Sequence, residues 1–313
     1  MKNIILALLA ICSISLFSCE TLINDVDPDR LPRSDSKLVV HGYLSPQDTT
    51  ISINVYYSSQ LIGGNNSPYW LNGSPISLND AVVTLSNQGK RVTLPFDSKT
   101  GTYSIKATTM PILEGQTYEL KVERGGQTTE AQCTVPQAVA IQEIKQDSVD
   151  SKGVFSSDPK FIPPKDYLYR IVWQDSRSQK NYYRVGGYVF LSQQLESSFP
   201  NYGVIPIILP IRFEENNRNQ EFFSDELSNG MVMVSGVGRS SSSVGYFPPN
   251  STVQARRVEL ILLNCEKTYY DYHRAVQAFD RNNPFAEPSL IPSNIKNGLG
   301  CFAAFNRSSF VLK

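Results

Sequence analysis

TYELKVERGGQTTEAQCTVP, residues 117–136, decides how the rest of the chain is read. Tyr118, Leu120 and Val122 alternate with polar residues, Gly125-Gly126 interrupts the run, and a second run carries Cys133 as a small strand side chain. Period-two alternation on both sides of a two-glycine break is the pattern of a β-hairpin with one buried face. The pattern repeats upstream. AVVTLSNQGKRVTLPF reads as a hairpin, with Val83 and Leu85 before the turn Asn87-Gln88-Gly89 and Val92, Leu94 and Phe96 after it. KLVVHGYLS, TGTYSIKA and ISINVYYSS, the last with Ile51, Ile53, Val55 and Tyr57 on one face, supply further strands. Closely spaced strands with no helical period between them predict a β-sandwich over residues 37–137.

Residues 145–166 are polar and proline-bearing and read as a linker or long loop. Beyond them lie the strand candidates YLYRIVWQD, with Tyr167, Tyr169, Ile171 and Trp173 in period two, NYYRVGGYVFLS, IPIILPIRF, GMVMVSGV and RRVELILLNC. Residues 138–313 are therefore expected to form a second antiparallel β domain, a sandwich or an open barrel. One helix is expected near 266–280, where Tyr269, Tyr272, Val276 and Phe279 fall at helical spacing and Pro284 closes the segment. The expected fold class is mainly β with this one helix.

Lysine plus arginine and aspartate plus glutamate each number 29, so no basic excess points to nucleic acid. The chain has two histidines, which leaves little for histidine catalysis or a histidine-rich metal site. His41 reads as a strand residue and His273 as a packing residue beside the helical stripe. SGVGRSSSSVG (235–245) lacks the lysine of a phosphate-binding loop and leads into YFPPN, so it reads as a flexible surface loop. Carboxylates are plentiful, but no spacing singles out an acid/base pair. No catalytic residue, cofactor or metal site is assigned, and the chain is read as non-enzymatic. The candidate ligand-contact aromatics are Tyr69 and Trp70, in the long 61–80 connection, and Tyr182 and Tyr183. For Tyr69 and Trp70 the other reading is packing back over the sandwich edge.

MKNIILALLAICSISLFSC places Lys2 before an apolar run from Ile4 to Phe17, then Ser18 and Cys19. This is the layout of a signal peptide, residues 1–18. Leu16-Phe17-Ser18-Cys19 resembles the lipobox of bacterial lipoproteins, which makes Cys19 a lipidated mature N-terminus and residues 19–36 a tether. The other reading is a secretory signal with an incidental cysteine. Asp25, Asp27 and Asp29 lack the glycine and distal glutamate of a calcium loop and read as solvated linker. Cys133, Cys265 and Cys301 remain, and Cys265 with Cys301 is the candidate disulfide.

GTYSIKATTMPILEGQTYELKVERGGQTTEAQCTVP (101–136) resembles Ig-like or transthyretin-like surface modules. PFAEPSLIPSNIKNGLGCFAAFN (284–306), taken with FFSDELSNG (222–230), the Tyr-rich helix, the lipobox and the hairpins, resembles the DUF4249 family of predicted Bacteroidetes outer-membrane lipoproteins. The resemblance implies a protein lipid-anchored in the outer membrane and facing the cell exterior. It also implies an accessory role beside a TonB-dependent receptor in nutrient capture or uptake, with no ligand specified. An adhesin or envelope scaffold is the alternative, and a glycan or peptide hydrolase the third. The tail itself reads as structural. Gly298 and Gly300 permit tight backbone, and Phe302 and Phe305 pack as a closing strand.

Overall fold

The computed structural model describes residues 36–58, 70–71, 74–150, 165–177, 179–195, 204–216, 218–240, 251–279 and 290–313. The first region holds β1 (Leu38–Leu44), β2 (Thr50–Tyr57), β3 (Val82–Asn87), β4 (Lys90–Leu94), β5 (Thr102–Lys106), β6 (Thr117–Arg124) and β7 (Gln127–Thr134). The second holds β8 (Ile141–Asp150), β9 (Lys165–Gln174), β10 (Tyr182–Leu195), β11 (Val204–Glu215), β12 (Val237–Ser240), β13 (Ser251–Cys265), α1 (Lys267–Ala278) and β14 (Leu299–Leu312). Shorter strands at Phe96–Asp97, Arg218–Asn219, Phe222–Ser224 and Val232–Val234 add to the large sheet, and Trp70–Leu71 pairs with Ser74–Pro75 in a separate two-stranded sheet. The fold is mainly β, as expected.

The two hairpins form as their turn residues dictate. Gln88 and Gly89 both have positive φ (47° and 81°), as do Gly125 and Gly126 (55° and 80°). Two consecutive residues with positive φ make the turn whose twist matches paired strands. The registers Asn87↔Lys90 and Arg124↔Gln127 follow, and strand order β7-β6-β3-β4 gives a four-stranded sheet. Its inner face carries Val83, Leu85, Leu94, Tyr118, Leu120, Val122 and Cys133. These pack against Leu38, Val40, Ile51, Ile53 and Val55 of β1 and β2. That is a sandwich of two sheets around one core, as the alternation requires.

The large sheet runs β8-β9-β12-β11-β10-β13-β14-β1-β2-β5 and is not closed into a barrel. Its second core gathers Tyr169, Ile171, Trp173, Tyr183, Val185, Phe213, Leu260 and Leu262. The period-two set of β9 holds for Tyr169, Ile171 and Trp173, whereas Tyr167 is exposed at the strand start. Two loop expectations are corrected. Residues 145–150 belong to β8, where Lys145↔Arg170 and Asp147↔Leu168 pair in register. Residues 237–240 are β12, tied to Arg212 and Phe213 of β11. Polar composition misled at both places, because these strands expose one face and alternation there carries few apolar residues. Residues 151–164 and 241–250 lie outside the described residues.

β14 joins the two regions. Leu299 to Ala304 pair in parallel with Val39 to Leu44, and Phe305 to Leu312 pair antiparallel with Val258 to Cys265. The sheet therefore continues across residue 137 through a strand from the far end of the sequence. Gly300 makes this contact possible. Its φ is +107°, and a Cβ there would lie 2.2 Å from the Val40 carbonyl oxygen. Asn294 holds the approach to the strand: its Nδ2 donates to Phe302 O at 2.6 Å, and Phe302 N–H donates to its Oδ1 at 3.0 Å. Phe302 is fully buried in the first core, so the structural reading of the tail holds. Phe305 is half-buried, packed edge-on against Tyr269.

α1 lies on the outer face of the seam. Tyr269 and Tyr270 are buried in a third cluster with Tyr182, Cys265, Cys301 and Ala303. The expected stripe is shorter than its spacing suggested, because Val276 and Phe279 are each 42% exposed. The helix ends at Ala278 as its second half leaves the sheet, and Pro284 lies outside the described residues. No helix among the described residues is long and apolar enough to cross a membrane.

Candidate functional site

The exit of β7, the start of β10 and the β13–α1 junction enclose a cleft of about 500 Å³. Polypeptide from both β regions lines it: Thr134 to Gln137 on one side, Gln179 to Tyr182 and Asn264 to Thr268 on the other. Junctions of this kind are preferred places for ligand sites.

Glu266 is the centre of the cleft. It caps α1 by position, but its side chain points away from the helix. Its Oε1 accepts the Thr134 N–H at 2.7 Å and its Oε2 accepts the Ala304 N–H at 3.0 Å. Its own N–H donates to Ala304 O at 3.0 Å. One carboxylate thus ties β7, β14 and α1 together. Burial raises its pKa to about 6 against the opposing pull of those two N–H donors. Lys180 and Lys267 stand on the rim, each ion-paired, with Glu226 and Asp271 respectively. Asn264, 1% exposed at the end of an apolar strand, donates to Gln137 O at 3.0 Å. Asn306 continues this polar seam, donating to Glu114 Oε2 and Pro136 O and accepting from Gln47.

The sequence-predicted site residues do not converge here as ligand contacts. Tyr182 lines the cleft but is 7% exposed, its ring packed on Tyr270 at 5.1 Å, so it is wall rather than contact. Tyr183 is fully buried and donates to Asp175 Oδ1 at 2.5 Å; burial, then this bond, pushes its pKa well up. Both expectations of exposed aromatics are corrected. β10 is covered on one face by the second core and, at this end, on the other by α1. Trp70 lies in a short strand pairing with Pro75, while Tyr69 and Cys19 lie outside the described residues.

The expected Cys265–Cys301 disulfide is also corrected: Cys133, Cys265 and Cys301 are free thiols. Cys265 pairs across the ladder with Phe305, four positions along β14 from Cys301. At about 3.3 Å per residue that offset is roughly 13 Å, about twice the Cα separation a disulfide spans. Cys265 Sγ donates instead to Tyr182 O at 3.3 Å, and burial pushes its pKa up.

The chain's two histidines pack on tyrosines of one seam, His41 on β1 and His273 on α1. His41 is a strand residue, as expected, and bonds Tyr272 OH through Nε2 at 2.7 Å and Tyr56 OH through Nδ1 at 3.0 Å. His273 packs 4.2 Å from Tyr269, and its buried Nε2 has no hydrogen-bond partner among the described residues. Burial first, then Arg184 and His41, pull its pKa down to about 4. Both are packing residues of the seam. No group of metal-ligating side chains is found among the described residues.

Residues 23–310 match the family model described as Domain of unknown function (DUF4249). The chain belongs to the DUF4249 family. No curated protein and no solved structure matches this DUF4249 protein. Its distinctive segments take structural roles. In FFSDELSNG, Asp225 Oδ2 accepts the Asn181 N–H at 2.9 Å, and Gly230, at φ +71°, donates its N–H to Asp175 Oδ2 at 2.6 Å. In SNIKNGLGCF, Asn294, Gly300 and Phe302 seat β14. Glu266 carried no motif that would single it out. Asn264, polar within RRVELILLNC, was the one visible signal of the cleft.

Proposed function

We propose that this DUF4249 protein is a lipid-anchored, non-enzymatic protein of the bacterial outer membrane, facing the cell exterior and serving a TonB-dependent receptor in nutrient capture. The observation that carries the reading is the apolar run from Ile4 to Phe17 ending at Ser18-Cys19 and followed at once by polar chain. Acyl chains on Cys19 contribute about 0.8 kcal/mol per buried methylene, enough to hold a multiply acylated protein on a bilayer. The residues between Cys19 and β1 reach at most about 60 Å when extended, which lets the β body stand clear of the surface. The cleft around Glu266 supports binding rather than turnover, because both carboxylate oxygens are committed to backbone N–H groups.

The test is a mild-detergent pull-down from native membranes, with Cys19→Ala as control and partners identified by mass spectrometry. Co-purification of a TonB-dependent receptor, lost with Cys19→Ala, is the expected result. A lipidated protein that emerges alone removes the receptor role and favours an adhesin or scaffold. A Cys19→Ala protein that stays in the membrane fraction removes the anchor.

A further inference from the structure

The four-stranded sheet has a second face. Val83, Leu85, Leu120 and Val122 turn into the first core, so Thr84, Ser86, Glu119 and Lys121, which alternate with them, point outward. That face floors a groove of about 500 Å³. The segment before β14 forms its wall. Lys296 N–H donates to Glu130 O at 2.8 Å, Glu130 N–H donates to Lys296 O at 3.4 Å, and Asn294 Nδ2 donates to Gln132 O at 3.3 Å. Asn294 also holds Phe302, which braces the wall against β14. Floor and wall thus stand on hydrogen-bonded strands, the support a binding site needs. Thr84 marks the depth of the groove: although it points outward, it is only 9% exposed. The groove shares no lining residue with the cleft around Glu266.

Strand register sorts the lining into two rows across the sheet. In one, Glu130, Lys121 and Thr84 lie side by side. The charges there are already paired, Lys121 with Glu123 at 2.8 Å and Lys296 with Glu130 at 3.9 Å. In the other, Gln132, Glu119, Ser86 and Arg91 lie side by side, one from each strand. Among the described residues, none of these four side chains has a hydrogen bond or an ion pair. At about 4.8 Å per strand, this row is about 14 Å long.

The chemistry of the lining selects the ligand. Leu120 and Ala131 belong to the core side, so no apolar side chain turns into the groove and an apolar ligand gains nothing there. Glu119, Glu123 and Glu130 balance Arg91, Lys121 and Lys296, so the field favours neither an anion nor a cation. Glu119 accepts hydrogen bonds, Arg91 donates them, and Gln132 and Ser86 do both. A hydroxyl also does both. A neutral chain with hydroxyls on every unit therefore matches the row along its whole length, whereas a peptide brings apolar side chains for which the groove has no recess.

We propose that this groove binds a neutral oligosaccharide laid across the four strands, its hydroxyls bonded to Gln132, Glu119, Ser86 and Arg91. The assignment rests on the groove alone and stands whether or not Cys19 carries lipid or a receptor is present.

The test titrates the full chain by calorimetry with maltohexaose, cellohexaose, laminarihexaose, mannohexaose and xylohexaose. A galacturonate hexamer, a chitosan hexamer and a serine–glycine peptide are the comparators. The expected result is saturable binding of at least one neutral hexasaccharide below millimolar concentration, tighter than any comparator. Glu119→Ala weakens it about tenfold, as loss of hydrogen bonds to a charged group does. Gln132→Ala weakens it as well. Both positions are exposed, so both variants keep the circular dichroism of the parent, and Glu143→Ala on β8 binds as the parent does. Failure of all five neutral hexasaccharides to bind up to millimolar concentration overturns the proposal. So does parent-level binding in both Glu119→Ala and Gln132→Ala, or binding of a charged hexamer or the peptide as tight as that of the neutral chains.

Discussion

Glu266 and Ala304 exchange two hydrogen bonds: the Glu266 N–H donates to Ala304 O, and the Ala304 N–H donates to Glu266 Oε2, both at 3.0 Å. The reciprocal pair fastens the start of α1 to the strand that joins both β regions, and Thr134 adds the four-stranded sheet to the same carboxylate.

The carboxyl of Glu266 makes stability depend on pH. Its folded pKa of about 6 is above its ordinary 4.5, so between these values the folded chain holds more protons than the unfolded one. Its contribution is complete below pH 4.5 and declines by about 2 kcal/mol as pH rises through 6. Glu266→Gln is expected to abolish this slope. It also costs about 1 kcal/mol at pH 5, because an amide offers one acceptor oxygen to two backbone N–H donors. Urea midpoints of parent and variant at pH 4.5 and 7.5 check it; parallel pH profiles would sink the assignment.

His273 works in the opposite direction. Its folded pKa of about 4 is below the ordinary 6.5, so the unfolded chain takes up the proton first. Stability falls by about 3 kcal/mol as pH drops from 6.5 to 4. His273→Phe keeps the ring against Tyr43 and Tyr269 and is expected to lose this acid sensitivity. Thermal melts of both proteins at pH 4.5 and 7.5 decide it. An equal acid loss in parent and variant would show that His273 is not the group responsible.

Gly300 and Phe302 carry the seam. Gly300→Ala places a methyl 2.2 Å from Val40 O at a φ of +107°, costing about 1–3 kcal/mol in strain alone. Phe302→Ala removes a fully buried ring and costs about 3–5 kcal/mol. Protease sensitivity of both β regions should rise together in these variants. If the 37–137 hairpins stay protected while residues 165–313 are cut, β14 is not the common support.

The cysteines give a direct chemical test. Cys133, Cys265 and Cys301 are buried free thiols, so alkylation without reductant should be negligible in the native protein and complete at all three after denaturation. A peptide linking Cys265 to Cys301 in the non-reduced digest would contradict the register that sets them roughly 13 Å apart.

Local patterns were legible because they depend on local physics. The alternation of Tyr118, Leu120 and Val122, the turns at Gly89 and Gly125-Gly126, and the helix after Cys265 each follow from side-chain period or backbone freedom within about ten residues. The family motif was readable for the same reason: it is one continuous segment. Tyr182 and Tyr183 misled because NYYRVGG does not say that a helix some 85 residues later covers one face of that strand and the second core the other.

The amino-acid sequence by itself determined the strands with apolar alternation, the hairpin turns, the position of the helix and the apolar run that ends at Cys19. Tertiary structure alone decided that β14 pairs with β1 on one side and β13 on the other. It also decided that Glu266 meets Thr134 and Ala304. Periodicity reports which face of a strand is buried, but partner choice is set by long-range packing, and 260 residues separate Val40 from Gly300 without any local trace of their contact.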